Sequence, residues 1–296
     1  MKLKRLVSCS AALALALGNV AARAEAPPEG AVPGPALWKV ADEDTTIYLF
    51  GTVHALPQGK EWFDARIARA FAESSELVTE VDLADQARSS AAMQQAGLLP
   101  EGETLRALMA EDDRRQFEDA LVSLGLPVGA LDRLEPWLAA LTLSLLPLLR
   151  QGYQPESGVE MALMGRAPDK ARGALETVEQ QIELFDGMPT EAQLAFLDRT
   201  VEAMPQARTT LDAMVAEWIE GDADTLAELL NAELDDPELR NRLLTERNAN
   251  WADWIERRLE QPGTVFVAVG AGHLAGQDSV QAQLAGRQVR VERIWQ

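Results

Sequence analysis

The chain of 296 residues has one cysteine, Cys9, and two histidines, His54 and His273. Cys9 lies in an N-terminal stretch that reads as a leader, so the remainder has no thiol. Disulfides, a cysteine nucleophile and a thiolate-bound zinc are thereby excluded. Basic charge is scarce as well: 27 Lys and Arg stand against 47 Asp and Glu, a formal net charge of −20. Such acidity disfavours nucleic acid and anionic membrane as partners. Beyond the leader, no apolar run approaches the roughly 20 residues that a bilayer-spanning helix needs. Three common catalytic signatures are also missing: there is no HExxH helix, no GxSxG elbow and no phosphate-cradling GxxxxGK loop.

The leader itself carries information. Lys2, Lys4 and Arg5 precede an apolar, alanine- and leucine-rich run that ends in Ala22-Arg23-Ala24. This is the pattern of a cleaved secretory signal, expected over residues 1–24 with Ala24-Glu25-Ala26 as an alternative site. Leu6-Val7-Ser8-Cys9 resembles a lipoprotein box, but its apolar run follows the cysteine instead of preceding it. The expected destination is the periplasm or the extracellular space. Residues 25–36, rich in proline and glycine, read as a flexible leader, and 37–296 as a single domain.

Each histidine closes the same short phrase. Gly51-Thr52-Val53-His54 follows the apolar run Thr46–Phe50, and Gly270-Ala271-Gly272-His273 follows Thr264–Val269. An imidazole placed just past a strand end, after a glycine, is presented at the sheet edge where α/β folds bind ligands. One such histidine alone reads as a turn residue bonded to nearby backbone. Two in matching phrases, with no histidine elsewhere, read as halves of one site.

Between and around them the pattern alternates strands and helices. Leu37–Val40 and Thr46–Phe50 flank the acidic turn Asp42-Glu43-Asp44 and predict a hairpin. Trp62, Ile67, Ala70 and Phe71 fall at helical spacing, and Glu76–Leu83 predicts a strand that completes a strand-helix-strand unit beside the first GxxH strand. Glu80 and Asp82 leave that strand at the edge where His54 stands. A carboxylate emerging from Leu77-Val78 needs a partner unless it lies in water. Residues 86–166 read as helices, and Lys170–Leu175 as a short strand. Helices over 190–203, 205–220 and 223–232 precede a long one over 237–260. A helix over 277–285 and a closing strand over 288–294 end the chain. The expected fold is α/β: a mixed central sheet with both GxxH phrases at strand ends, and a large, mostly helical insertion over about 86–257.

Several further residues carry two readings. Glu160, opening a helix after Gly158, is either a favourable N-terminal helix charge or a site acid. Glu176 ends the short strand, while Thr177 with Gln180 fits a helix cap. Arg247, followed by Asn248, either forks onto a carboxylate or substrate anion or pairs on the surface with Glu246 or Asp253. Of the seven tryptophans, most fall at core spacing, and Trp62 is held as a possible cleft wall.

The phrases Leu37-Trp38-Lys39-Val40, Tyr48–His54, Leu77–Asp82, Leu175-Glu176-Thr177, Glu246-Arg247-Asn248 and Val269–His273 together resemble the TraB/PrgY/GumN family, most closely its GumN-like bacterial branch. That family is related to the Tiki proteases and, more distantly, to erythromycin esterase. The resemblance implies a site of His54, Glu80 and His273, which would hold a divalent metal, manganese, cobalt or zinc. Such a set suits an ion with an open position for water. Glu160 is a further catalytic candidate for moving protons, and Arg247, Asn248 and Glu176 are candidates for substrate binding. The implied activity is metal-dependent hydrolysis of a peptide or related amide. The alternatives are a metal-free, esterase-like hydrolase with His54 as general base, and a non-catalytic accessory or binding protein of envelope or polysaccharide biogenesis. The partner expected on the first two readings is a peptide or small molecule.

Overall fold

A computed structural model describes residues 33–82, 84, 86–231 and 236–295. The expected signal sequence and most of the leader lie outside the described residues.

The chain opens with strands β1 (Leu37–Ala41) and β2 (Thr45–Thr52), then a two-residue strand β3 (Leu56–Pro57), helix α1 (Ala65–Glu73) and strand β4 (Glu76–Thr79). Asp64 caps α1 by accepting from the amides of Arg66 and Ile67, which satisfies donors that the first turn leaves without helical partners. The expected hairpin is present: β1 and β2 pair antiparallel from Leu37 opposite Phe50 to Ala41 opposite Thr46. Helices α2 (Gln86–Ala96), α3 (Leu105–Leu108), α4 (Glu111–Ser123) and α5 (Pro136–Arg150) follow. Strand β5 (Tyr153–Gln154) pairs with β3, and helix α6 (Val159–Arg166) leads to strand β6 (Ala171–Ala174).

Next come α7 (Val178–Asp186), α8 (Thr190–Ala203), α9 (Ala207–Glu220), α10 (Ala223–Asn231), α11 (Pro237–Arg240) and α12 (Glu246–Leu259). Strand β7 (Gly263–Gly270), helix α13 (Val280–Gly286) and strand β8 (Val291–Arg293) complete the described chain. The long helix expected over 237–260 is interrupted: a π turn at Asn241–Thr245 joins α11 to α12. Among the described residues, no helix is long and apolar enough to cross a membrane.

The main sheet has six strands in the order β6-β4-β7-β2-β1-β8. It is mixed, with β2, β7, β4 and β6 parallel and β1 and β8 added antiparallel. β2 and β4, expected as neighbours, are separated by β7. β7 is apolar on both faces, Val265, Val267 and Val269 against Phe266 and Ala268, and all five are at most 2 % exposed. A strand of that kind belongs in the middle of a covered sheet. β6 joins the same sheet from within the mostly helical stretch, so that stretch is divided between two flanks of β6.

Alternation along the strands sends side chains to two cores. Phe50, Leu77 and Phe266 pack with Ile67 and Phe71 of α1, Leu163 of α6 and Trp218 of α9. On the opposite face Ile47, Leu49, Val78 and Val267 pack with Trp251 and Ile255 of α12 and Leu284 of α13. A third cluster, including Leu105, Phe117, Leu143 and Leu197, gathers α3, α4, α5 and α8 with residues of their connecting segments such as Leu99 and Leu131. Trp62 is a core residue and not a cleft wall. It is 7 % exposed, and its ring stacks 5.7 Å from Phe50 and lies 6.0 Å from Trp218.

β4 stops at Thr79, short of the expected Leu83. The Thr79 hydroxyl donates to the Val81 carbonyl at 2.7 Å, which turns the chain immediately past the strand. Glu80 and Asp82 therefore do not share a strand face. Glu80 points into the protein, whereas Asp82 is exposed and accepts from the amide of Ala84.

Candidate functional site

The two GxxH phrases lie side by side. β2 and β7 pair in parallel with Gly51 opposite Val269 and Thr52 opposite Gly270, so the phrases run one residue out of step. A methyl carbon on Gly51 would sit 3.1 Å from the Ala271 Cα, a separation that leaves little room for a side chain. The buried Trp218 indole donates to the Gly51 carbonyl at 2.8 Å and fixes the end of β2.

Helix α6 is docked on the first phrase by backbone. The Val159 amide donates to the Val53 carbonyl at 3.0 Å. Gly158 passes so close that a Cβ there would meet the His54 carbonyl oxygen at 2.2 Å. This docking brings Glu160 against the phrase. Its Oε1 accepts from the Thr52 hydroxyl at 2.5 Å and lies 2.6 Å from His54 Nδ1. Glu160 is thus both a first-turn helix charge and the partner of a histidine. Burial opposes ionisation of its carboxyl, but His54 and Thr52 outweigh that, and its pKa is lowered.

The His54 side chain is 72 % exposed and stands at the mouth of the site. The Glu160 carboxylate is the main cause of its pKa being raised to about 9. Solvent reaches the ring and screens the pair, and the carboxylate still favours the charged form of the imidazole. At neutral pH His54 is chiefly imidazolium.

His273 is its opposite. It sits in the short 3-10 turn after β7 and is 6 % exposed. Burial is the main cause of its pKa falling to about 3; Glu80 works against this, while Arg247 and His54 add to it. Its tautomer follows from its neighbours. The Asn248 amide nitrogen donates to the Asp278 carbonyl at 2.7 Å, so the amide oxygen is the atom 2.6 Å from His273 Nδ1. An oxygen there can only accept, which makes Nδ1 the protonated nitrogen and leaves a lone pair on Nε2. Arg247 Nη1 donates to that lone pair at 2.9 Å.

Glu80 lies between the histidines. Its Oε1 accepts from the Gly270 amide at 2.7 Å, and its Oε2 from Arg247 Nη2 at 2.7 Å and Gln181 at 3.1 Å. Burial opposes the ionised form, but the imidazoles, Arg247 and the Gly270 amide more than offset it and hold the carboxyl at about 2. With His273 neutral, the guanidinium is the permanent positive charge among them.

The missing side chain of Gly270 defines the meeting point. A methyl carbon there would lie 3.1 Å from Glu80 Oε1, 3.7 Å from His54 Nε2 and 3.6 Å from His273 Cδ2. Glu80 and His54 thus turn polar atoms toward one small space, whereas His273 turns a ring carbon to it.

The seven candidate catalytic, metal-binding and substrate-binding residues belong to one neighbourhood, whereas Asp82 and Trp62 do not join it. His54 and Glu160 form its outer pair, and Glu80 and His273 its inner pair. Arg247, Glu176 and Asn248 stand behind them. Glu176 accepts a forked pair from Arg247, at 2.8 and 2.9 Å, and a further bond from the Trp251 indole at 3.0 Å. The surface partners considered for Arg247 are engaged elsewhere: Glu246 accepts from Asn241 and Asp253 pairs with Arg287. Thr177 and Gln180 form a complete capping box on α7, so cap and site adjoin without competing. Sequence reasoning missed Thr52, Gln181 and Trp251. Thr52 lies inside the GxxH phrase and had a signal to offer. Gln181 and Trp251 had only ordinary helical spacing.

As placed, these residues do not form a metal cage. The one lone pair that His273 can offer is taken by Arg247, as is Glu80 Oε2. Among the described residues no group of three or more His, Cys, Asp or Glu is disposed to hold an ion.

No curated protein and no solved structure matches the chain significantly. A family comparison does: residues 36–293, nearly the whole described chain, match the TraB/PrgY/gumN family, and the protein belongs to it.

Proposed function

We propose that the protein is a hydrolase exported across the inner membrane, acting on a peptide or related amide through a water activated beside Gly270. The convergence of His54 Nε2 and Glu80 Oε1 on that point is the observation that carries the reading. A water there would donate to Glu80 and to the neutral form of His54. As it attacks a carbonyl carbon, its proton passes to His54 Nε2, and Glu160 at Nδ1 stabilises the resulting imidazolium. The same proton then goes to the leaving amine. Arg247, Asn248 and Glu176 serve as supports that fix Glu80 and His273, and the buried His273 helps wall off the inner side. Export rests on the signal-like N-terminus.

A second reading, hydrolysis dependent on manganese, cobalt or zinc, is favoured by one feature. Both histidines have Nδ1 tied to an acceptor, Glu160 or Asn248, the arrangement that commonly orients Nε2 toward a metal. His54, Glu80 and His273 would hold the ion, provided that Arg247 gave up His273. Bound there, it would acidify water.

The test is a screen of the purified protein against peptide, amide and ester libraries, alongside His54→Ala and Glu80→Gln. Turnover that falls at least about 100-fold in both variants supports the reading. No turnover, or turnover that both variants retain, sinks it and favours an accessory binding role.

A further inference from the structure

We propose that Arg247 occupies the place of a divalent cation, so that this site is organised by a guanidinium and excludes an ion from His273. A guanidinium carries five N–H donors in a rigid fork, and here every one has an acceptor. Nε and Nη2 donate to the two oxygens of Glu176, at 2.8 and 2.9 Å. Nη2 also donates to Glu80 Oε2 at 2.7 Å, and Nη1 to His273 Nε2 at 2.9 Å and the Leu243 carbonyl at 3.2 Å. The carbon of the guanidinium lies 4.8 Å from the centre of the Trp251 ring, which adds a cation–π contact. No donor remains for a substrate anion.

The atoms that Arg247 takes from the inner pair are those that an ion would require. His273 has a single lone pair to give, because Asn248 holds the proton on Nδ1, and one lone pair cannot accept from Arg247 and bind a metal together. Arg247 is also held firmly. It lies in the first turn of α12, just past the π turn, where the Glu246 amide donates to the Asn241 carbonyl five residues back. Single π turns often occur at functional positions in helices. The resulting charge pattern, one fixed cation between two carboxylates and a neutral imidazole, leaves Glu80 Oε1 and His54 Nε2 as the groups facing the open side.

Arg247 is therefore a positioning residue acting through Glu80 and His273. The inference builds on the proposed function only for the purpose of this arrangement; its test uses no substrate, so absence of turnover would leave it standing.

The experiment is titration of the wild-type protein, Arg247→Met and Arg247→Gln with manganese, cobalt and zinc by calorimetry. Zinc titrations are also followed through the ring nitrogen resonances of His273. The wild type is expected to leave the His273 resonances unmoved. The folded variants are expected to bind one ion per chain at least tenfold more tightly than the wild type, and to lose it when His273→Ala is added. Arg247→Gln, which retains a donor for Glu176, stands in if Arg247→Met does not fold. Movement of the wild-type His273 Nε2 resonance on stoichiometric binding would overturn the proposal. So would failure of both folded variants to bind.

Discussion

Asn248 Oδ1 lies 2.6 Å from His273 Nδ1 in a fully buried contact, and the Asp278 carbonyl fixes which atom of the amide faces the ring. Asn248→Ala should leave a buried N–H without an acceptor, at about 1–3 kcal/mol. The Nδ1–H tautomer itself should persist, because Arg247 Nη1 still donates to Nε2, but the proton should lose its acceptor. Denaturant unfolding reads the first effect and the ring nitrogen shifts of His273 read the second. A folded variant of wild-type stability, with the Nδ1 shift unchanged, would remove Asn248 from the site.

The His54–Glu160 pair predicts an activity that climbs with pH. With His54 raised to about 9 by the Glu160 carboxylate, its basic form grows as pH rises from neutrality, so kcat/KM should climb and level off near that value. Glu160→Gln removes the charge and should move the inflection down toward the ordinary value of 6.5. The stability linkage has the opposite sense. His54 binds its proton more tightly folded than unfolded, so the pair's contribution is complete below pH 6.5 and is lost as pH passes about 9. A rate profile flat between pH 6 and 9, on a substrate found by the screen, would remove His54 as the base.

The legible part of this site lay in local phrases. His54 and His273 follow apolar strands and glycines, so their position at a sheet edge could be read directly, and Glu80 was marked by its emergence from an apolar strand. Gln181 could not be found in the same way. It reaches Glu80 across 101 positions, and a glutamine on a helix is unremarkable by itself. The insertion of β7 between β2 and β4 left no local signal either, since it reflects burial of β7 on both faces more than 180 positions downstream of β4. The π turn escaped because its five-residue spacing uses the same residue types as an α-helix. Trp62 was misplaced because aromatic character alone does not separate a cleft wall from the stack with Phe50.

Gly158 makes a steric prediction. A Cβ at this position would come within 2.2 Å of the His54 carbonyl, a backbone atom with no flexible side chain to yield. Gly158→Ala should therefore push α6 away from the GxxH loop and cost about 1–3 kcal/mol. The displaced Glu160 should also lose its hold on His54, so the proton affinity of His54 should fall in parallel. A variant of wild-type stability, with His54 titrating as before in ring proton spectra, would show that α6 need not dock on that backbone.

Glu176 should matter chiefly through Arg247. Both side chains are 11 % exposed, and Glu176 takes two of the five guanidinium donors as well as the Trp251 indole. Glu176→Ala leaves those donors buried and unpaired beside Glu80, a loss of about 3–5 kcal/mol for a broken buried pair. Glu176→Gln keeps the shape and one acceptor, so a smaller loss is expected. The order of the two variants in denaturant midpoint discriminates between causes: if Glu176→Gln is as damaging as Glu176→Ala, the charge on Glu176 matters and its shape does not. A loss below about 1 kcal/mol in both, as for a surface pair, would mean that the guanidinium is held by Glu80 and His273 without it.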